Sequence, residues 1–457
     1  MSEHRVDVVV IGMGPGGEDV AGNLAEAGLS VVGIDSHLVG GECPYYGCIP
    51  SKMMIRAADL LEEGRRINEM AGSATVEPDF GVVADRIRDE ATDDWDDQVA
   101  VDRFVGKGGN FVRGRGSFDG PDRVLVNGEI YVASKGIVLA TGTSPSMPNI
   151  PGLKESNPWT NRDIVKVREV PKSMIVLGGG AIGIELAQAF SRFGTEVTII
   201  EPAERILGVE EPQSSELLTK VFGDEGIEIR CGVGATSVSR NRNGFTVALA
   251  DDTSVTAEHL LVAAGRTPNL GKIGLKTVGL DDAARPVFTV DDQMRIEGVD
   301  NVWAIGDITG KGGFTHMAMY ESGIAFDSIT GASSPRLFEG HAVSRVTFTD
   351  PEIGSVGMTE AQARSAGLRV SIGLADSSTS SRGWIHGEGN AGFIKLVADA
   401  DRGVLVGATS AGPRGGDVLA MFNLAVHARI PIAQLRSMIY AYPTFYRGAL
   451  DALADLD

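Results

Sequence analysis

The sequence predicts an α/β fold in which two similar strand–turn–helix–strand units are followed by a C-terminal α+β domain. The first unit reads "VDVVVIGMGPGGEDVAGNLAEAGLSVVGID", and the second reads "SMIVLGGGAIGIELAQAFSRFGTEVTIIE". From about residue 340 the pattern changes, because "SRVTFTDPEIGSVGMTEAQARSAG" and "GFIKLVADADRGVLVGATSAG" are typical of antiparallel strands with helices. The repeat and this change of pattern together indicate the fold class.

Each repeat contains a GxGxxG turn between its first strand and its helix. The glycines are Gly12, Gly14 and Gly17 in the first repeat and Gly178, Gly180 and Gly183 in the second. An acidic residue, Asp35 or Glu201, lies 23 residues after the first glycine of each turn. The glycines allow a pyrophosphate to approach the helix N-terminus, and the acids accept hydrogen bonds from ribose hydroxyls. The sequence therefore predicts two Rossmann-like dinucleotide-binding sites rather than glycine-rich packing alone.

The bulk composition excludes several classes of partner. The chain has 457 residues and a net charge of −20, which argues against nucleic acid and anionic membrane surfaces as partners. The apolar stretch "MIVLGGGAIGIELAQAF" contains Glu185 and Gln188, so it does not predict a membrane span. Because the N-terminus enters an apolar strand without a cleavage site, we expect a cytoplasmic protein.

Four residues separate Cys43 from Cys48 in "GGECPYYGCIPSK". With only Cys231 as a third cysteine, a disulfide framework and a zinc site are both disfavoured, and we expect no metal site. A structural staple across so short a loop would contribute only about 2 kcal/mol. Pro50 predicts a helix that begins near Cys48, where backbone N–H groups stabilise a thiolate. We therefore interpret the pair as a redox switch.

Three further strand ends carry residues suited to cofactors. The segments "IVLATGTSPSMP" and "LLVAAGRTPN" end in small-residue turns that contain Thr141, Gly142 and Gly265. The segment "VDNVWAIGDITG" ends a strand at Asp307, where a carboxylate is a good ligand for polyol hydroxyls.

Taken together, these motifs resemble the flavoprotein disulfide reductase family over nearly the whole chain. The resemblance implies FAD at the first glycine turn, with Asp35 on its adenosine ribose, Asp307 on its ribityl chain and Gly41 close by. It also implies NAD(P)H at the second turn. The charge of Glu201 would repel a 2′-phosphate, so we expect NADH rather than NADPH. The implied segments are 1–150 and 271–338 for FAD, 151–270 for NAD and 339–457 for dimerisation.

The resemblance also implies the electron path. Lys52 and Glu185 match a Lys–Glu pair beside the flavin N5 in that family, and electrons run from nicotinamide to flavin to a Cys43–Cys48 disulfide. Cys48 would face the flavin, and Cys43 would be the interchange thiol. The implied assembly is a homodimer.

The C-terminal segment "IYAYPTFYRGALDAL" departs from that family. Its disulfide-reducing members end in His-Pro-x-x-x-Glu, whose His acts as acid–base for the partner subunit. Here Tyr442 stands in place of the His and Arg447 in place of the Glu, while His427 lies fifteen residues upstream and is expected to be structural. A tyrosine hydroxyl keeps its proton at neutral pH, so Tyr442 is either a proton donor or a spacer.

The aromatic pair Tyr45 and Tyr46 between the cysteines is a second departure, and it fits either a flat apolar substrate site or simple packing. We expect an FAD-dependent NAD(P)H oxidoreductase with a small-molecule electron acceptor, and a quinone or another electrophilic small molecule fits best. The alternatives are a dihydrolipoamide dehydrogenase or other low-molecular-weight disulfide reductase, a metal-ion reductase, and a redox-sensing flavoprotein.

Overall fold

A computed structural model describes residues 2–280 and 287–456, so residues 281–286 of the predicted 271–338 segment lie outside the described residues. The strands are β1 (Glu3–Ile11), β2 (Val31–Asp35), β3 (Asn110–Arg113), β4 (Ser117–Gly120), β5 (Arg123–Val126), β6 (Glu129–Leu139), β7 (Thr143–Pro145), β8 (Ser173–Leu177), β9 (Glu196–Glu201), β10 (Glu228–Cys231), β11 (Ala235–Asn241), β12 (Gly244–Leu249), β13 (Ser254–Ala257), β14 (His259–Val262), β15 (Arg266–Pro268), β16 (Val302–Ala304), β17 (Ser344–Thr347), β18 (Glu352–Gly357), β19 (Val370–Asp376), β20 (Phe393–Asp399) and β21 (Val404–Gly412).

The helices are α1 (Pro15–Glu26), α2 (Glu42–Tyr46), α3 (Cys48–Met70), α4 (Phe80–Arg86), α5 (Gln98–Gly106), α6 (Asn161–Ile164), α7 (Ala181–Arg192), α8 (Pro212–Asp224), α9 (Thr315–Thr330), α10 (Glu360–Ser365), α11 (Ser381–His386), α12 (Gly415–His427), α13 (Ile432–Ser437) and α14 (Ala449–Ala454). A π-helical turn spans Ile87–Ala91, and 3₁₀ turns span Leu275–Val278, Gly306–Thr309, Gly340–Ala342 and Phe445–Gly448. Among the described residues, no helix has both the length and the apolar character that a bilayer crossing requires.

The chain forms two compact units, and each is assembled from three separate segments. The first unit contains Met1–Pro50, Asp85–Pro145 and Arg266–Gly340, and the second contains Ser51–Ala84, Ser146–Gly265 and His341–Asp457. The boundaries that the sequence predicts for cofactor and dimerisation segments remain predictions.

The first unit is built on a sheet with the strand order β3-β2-β1-β6-β5-β4, and β16 also pairs with β6. Val8, Val9 and Val10 in β1 are fully buried, as expected for a parallel strand covered on both faces. Each such side chain stabilises the fold by roughly 1.5–3 kcal/mol. Strands β1, β2, β6 and β16 are parallel and end level with one another. The turns that follow them therefore meet at one edge of the sheet, where ligands bind in such folds.

The second unit contains a parallel sheet with the order β10-β9-β8-β14, which repeats the central pattern of the first. Its C-terminal part is an antiparallel sheet in the order β17-β18-β21-β20-β19, with α12 packed on β18 and β21. The predicted α/β class with a C-terminal α+β domain is confirmed.

Candidate active site

The first glycine turn brings β1 against α1 and leaves the helix N-terminus open. Gly12 has a φ of +97°, and a Cβ there would collide with the carbonyl oxygen of Ala140. A Cβ on Gly17 would collide with the carbonyl oxygen of Gly12. Gly14 faces open space at the N-cap of α1, where no side chain caps the first amides. This end of α1 therefore offers N–H groups to an anion.

The second turn repeats this geometry after β8. Gly178 has a φ of +114° beside the carbonyl oxygen of Ala263, and Gly183 packs on the carbonyl oxygen of Gly178. Gly180 faces open space at the N-cap of α7, again without a side-chain cap. Gly265, at the turn after β14, also faces open space. The two repeats thus form two helix N-termini of the same design, each able to offer N–H groups to an anion.

The two acids also occupy equivalent positions. Asp35 accepts hydrogen bonds from the backbone N–H of Met13 (2.6 Å) and from the N–H two residues further along its own loop (2.7 Å). Glu201 accepts from the N–H of Gly179 (2.6 Å) and likewise from the N–H two residues further along (2.8 Å). Since a carboxylate offers about four lone-pair sites, each acid keeps capacity for ribose hydroxyls.

Thr141 is a clear sign that the first unit fits a ligand. Within the described parts of the chain, its Oγ1 is buried and has no hydrogen-bond partner. Such hydroxyls are rare in native proteins and call for an explanation. The adjacent Gly142 faces open space, and Gly41, with a φ of +67°, packs against the Cα of Gly14. The orphaned hydroxyl, the open glycines and the uncapped helix fit the FAD that the sequence predicts.

Asp307 lies in the 3₁₀ turn that follows β16. The hydroxyl of Thr143 donates a hydrogen bond to its carboxylate, and Nε of Arg266 donates to that hydroxyl at 2.6 Å. Nη2 of Arg266 also lies 3.4 Å from Oε2 of Glu42. Sequence reasoning missed Thr143, Arg266 and Glu42, because no local pattern reveals that β15 pairs with β7.

Glu321 on α9 supports the turn that carries Asp307. It is fully buried and accepts hydrogen bonds from the N–H of Gly306 (2.6 Å) and the hydroxyl of Thr309 (3.1 Å). Burial raises the pKa of the Glu321 carboxyl to about 7, although these two hydrogen bonds act in the opposite direction.

We expect Glu321→Gln to make the protein's thermal stability less dependent on pH. A carboxyl whose pKa is raised by folding favours the folded state when protonated, so the stabilisation present below pH 4.5 is lost as the pH rises through about 7. Glutamine does not titrate. The unfolding midpoint of the variant relative to wild type should therefore rise from pH 5 to pH 8, by the equivalent of about 3 kcal/mol. A difference that is constant with pH would contradict this assignment.

The two cysteines lie in adjacent helices. Cys43 lies in α2, and Cys48 is the first residue of α3, so the helix begins where the sequence predicts. Sγ of Cys48 lies 3.4 Å from Oγ1 of Thr315, the first residue of α9. A hydroxyl and a helix N-terminus both stabilise a thiolate. Sequence reasoning missed Thr315, which is 267 residues from Cys48 along the chain.

Lys52 and Glu185 form the ion pair that the resemblance implies. Nζ of Lys52 lies 2.7 Å from Oε2 of Glu185, whose side chain is only 6% exposed. Oε1 of Glu185 accepts the N–H of Phe348 at 2.8 Å, and the Lys52 ammonium lies 4.6 Å from the centroid of the Phe348 ring. Both carboxylate oxygens are therefore satisfied, and the ammonium is fixed between a carboxylate and an aromatic face. Phe348 was not predicted.

Tyr442 is 68% exposed and contacts the other substituted residue of its motif. The guanidinium carbon of Arg447 lies 5.4 Å from the centroid of the Tyr442 ring. His427 lies elsewhere, at the end of α12, where its ring stacks on His341. The contact between Tyr442 and Arg447 is a cation–π pair, which holds the ring but offers no base.

Cys231 ends β10 and pairs with Glu201 across the sheet. Burial raises the pKa of its thiol, and the nearby charge of Glu201 adds to this effect. A thiol that resists ionisation in this way behaves as a small apolar side chain. In the ranges 2–280 and 287–456, no cluster of three or more His, Cys, Asp and Glu is arranged to hold a metal ion.

The family model described as pyridine nucleotide-disulphide oxidoreductase matches residues 6–322, and the model of its dimerisation domain matches residues 343–452. The chain belongs to this family. A dihydrolipoyl dehydrogenase of Thermus scotoductus is 32% identical and covers 98% of this chain and 96% of its own length. A mercuric reductase of Staphylococcus aureus is 29% identical and covers 97% of this chain and 81% of its own length.

The fold of the family is also found among solved structures. The Cu(II) complex of RclA, an HOCl-induced flavoprotein disulfide reductase of Escherichia coli, matches with a TM-score of 0.87. Its sequence is 23% identical, and the match covers 99% of each chain. Family membership confirms that the protein is an oxidoreductase acting with flavin and NAD(P)H. The roles of individual residues remain predictions.

Proposed function

We propose that this protein oxidises NADH with bound FAD and passes the electrons through Cys43 and Cys48 to a small-molecule acceptor, with a quinone favoured. Bound FAD would supply the two-electron chemistry that links a nicotinamide to a cysteine pair. The open N-terminus of α1 would hold the FAD pyrophosphate, Asp35 the ribose and Asp307 the ribityl hydroxyls. The N-terminus of α7 and Glu201 would hold NADH in the same way.

The helix α3 supports the proposed role of the cysteines. Its N-terminus and the Thr315 hydroxyl stabilise negative charge on Cys48. Cys43, in the short preceding helix, is the thiol that exchanges with an acceptor. Lys52 lies four residues after Cys48 and therefore on the same face of α3. Its charge, held by Glu185, would stabilise negative charge that develops during reduction.

The contact between Tyr442 and Arg447 is the observation that favours a quinone over a disulfide as the acceptor. Thiol–disulfide exchange proceeds through thiolates and requires a proton to be moved at each step. A tyrosine held by a guanidinium lacks the basic imidazole for this role. A quinone takes electrons without such a base, so it suits this site better than a disulfide does.

We also propose a cytoplasmic homodimer. The match to a dimerisation domain supports the dimer, in which the exposed Tyr442 would be available to the second subunit. A reactive cysteine pair suits a reducing compartment.

Anaerobic NADH oxidation across a panel of acceptors tests this proposal. The panel contains a benzoquinone, lipoamide, glutathione disulfide, Hg(II) and Cu(II). Fastest turnover with the quinone supports the proposal. Family-typical turnover with lipoamide would instead support a dihydrolipoyl dehydrogenase, the activity named for several relatives. Fastest turnover with a metal ion would support a metal-ion reductase, and near-zero turnover with every acceptor would support a redox sensor.

We expect the protein to prefer NADH over NADPH by about 10- to 100-fold in kcat/KM. Glu201 would accept hydrogen bonds from the adenosine ribose and repel a 2′-phosphate, and hydrogen bonds to charged groups contribute about 1.5–3 kcal/mol. Arg205 lies four residues after Glu201, but it donates to the carbonyl oxygens of Leu207, Gly208 and Glu210 rather than offsetting that repulsion. Glu201→Ser should reduce the preference. A clear preference for NADPH in the wild type would contradict the role of Glu201.

A further inference from the structure

The segment after α4 has an unusual backbone. It begins with the π-helical turn Ile87–Ala91, and three consecutive residues then adopt left-handed conformations. The φ angles are +47° at Asp93, +53° at Asp94 and +60° at Trp95. Aspartate tolerates this region, but a bulky residue such as tryptophan rarely adopts it. Strained residues and π-helical turns cluster at functional sites, which directs attention to what Trp95 contacts.

Internal hydrogen bonds hold the distorted turn in place. The hydroxyl of Thr92 donates to the carbonyl oxygen of Ile87 at 3.0 Å and accepts the N–H of Trp95 at 3.4 Å. The N–H of Asp94 donates to the carbonyl oxygen of Arg88 at 2.7 Å. The left-handed turn is therefore a specified feature of the fold.

The turn presents Trp95 to the chain between the two cysteines. Its indole Nε1 donates a hydrogen bond to the carbonyl oxygen of Tyr45 at 3.0 Å. In return, the hydroxyl of Tyr45 lies 3.4 Å from the carbonyl oxygen of Asp96. Burial raises the pKa of the Tyr45 phenol to about 12, so the hydroxyl remains a donor. Tyr45 lies in α2 with Cys43, two residues further along the chain.

The next residue contacts the chain on the other side of Cys43. Asp97 is buried, and its carboxylate accepts the backbone N–H of Val39. The guanidinium of Arg113 donates to the same carboxylate at 2.7 Å. The residues Trp95–Asp97, called the clasp below, therefore contact the chain before and after Cys43.

We propose that Trp95 is a positioning residue that, through Tyr45, holds α2 so that Cys43 is placed to form a disulfide with Cys48. This inference rests on the proposed redox function of the cysteine pair. Closing a disulfide removes conformational freedom from the dithiol. When the clasp has already restricted that freedom, formation of the disulfide costs less conformational entropy. Loss of the indole hydrogen bond would give the reduced cysteine pair more conformational freedom, and the disulfide would then be less stable relative to the two thiols.

The effective molarity of the cysteine pair measures this effect. Holoprotein is equilibrated anaerobically with mixtures of reduced and oxidised glutathione. Oxidation of the thiols of Cys43 and Cys48 to one disulfide releases two electrons and two protons, which convert one glutathione disulfide into two glutathione thiols. Thiol labelling and mass measurement then give the fraction oxidised in each mixture.

Trp95→Phe should lower the effective molarity about 2- to 10-fold, the range expected for one net hydrogen bond. Tyr45→Phe, which removes the longer reciprocal bond, should lower it by a smaller factor. The matched control is Trp303→Phe, which removes an indole hydrogen bond to Ser328 (3.1 Å) in the same unit. Ser328 lies thirteen residues along α9 from Thr315, or about 20 Å, so this variant should leave the effective molarity unchanged.

The possible outcomes separate this inference from the function on which it rests. An unchanged effective molarity in Trp95→Phe, or an equal decrease in Trp303→Phe, would overturn the positioning role. Failure of the wild type to form a Cys43–Cys48 disulfide at any glutathione ratio would overturn the proposed redox function itself. The KM for NADH should be the same in Trp95→Phe as in the wild type, since Trp95 acts only on the cysteine pair.

Discussion

Anaerobic NADH is expected to produce a long-wavelength absorbance in the wild-type protein, and replacing Cys48 with serine is expected to abolish it. That absorbance arises from a thiolate beside an oxidised flavin, and serine cannot supply a thiolate. Cys43→Ser is expected to show the absorbance without any reductant, because Cys48 can no longer be held in a disulfide. Both variants should lose turnover with disulfide acceptors by at least about 10³-fold, as expected when a nucleophile is removed.

The asymmetry between these variants follows from the positions of the two thiols. Cys48 begins α3 and contacts the Thr315 hydroxyl, and both features stabilise a negative charge on its sulfur. Thr315→Val should therefore show a weaker band than the wild type at neutral pH. Raising the pH should restore the band in this variant, because the Cys48 thiol then loses its proton. Cys231→Ser is the matched control, which should leave the band intact. If the wild type is reduced to colourless flavin without this band, the cysteine pair lies outside the electron path.

Restoring the acid–base pair, with Tyr442→His and Arg447→Glu together, is expected to raise turnover with lipoamide about 10- to 100-fold. A positioned acid–base contributes typically 10²–10⁴-fold, and a grafted pair recovers part of that. In the wild type the Arg447 guanidinium faces the Tyr442 ring at 5.4 Å. The two positions already contact each other, so a glutamate at 447 can orient an imidazole at 442.

Quinone turnover separates this explanation from a general effect on the enzyme. The double variant should leave it nearly unchanged, because electron transfer to a quinone does not require the imidazole. Tyr442→Phe distinguishes the two roles left open for the hydroxyl. A lower rate with every acceptor would identify it as a proton donor, and an unchanged rate as a spacer. Wild-type turnover of lipoamide at rates typical of the family would show that the missing pair is dispensable.

The nucleotide sites were predictable from the sequence because their chemistry depends on local backbone geometry. Gly12 and Gly178 are required where the chain turns back against a strand carbonyl, and each acid lies one strand later. These constraints act within about 25 residues, so the spacing of the glycines and the acid can be recognised in the sequence. The helix start at Cys48 was predictable for the same reason. The pairing of Lys52 with Glu185 required the resemblance, since 133 residues separate them.

The sequence by itself determined the family, the fold class, the two dinucleotide turns, the cysteine pair and the substitution of Tyr442 and Arg447. Only the tertiary structure decided what lies around these groups, because the contacts join segments that are remote in the chain. Thr315 reaches Cys48 from α9, and Arg266 reaches Glu42 from β15. The structure also resolved part of the open question about the aromatic pair. Tyr45 is buried and hydrogen-bonded to the clasp, because a left-handed turn fifty residues away carries Trp95 to its carbonyl oxygen.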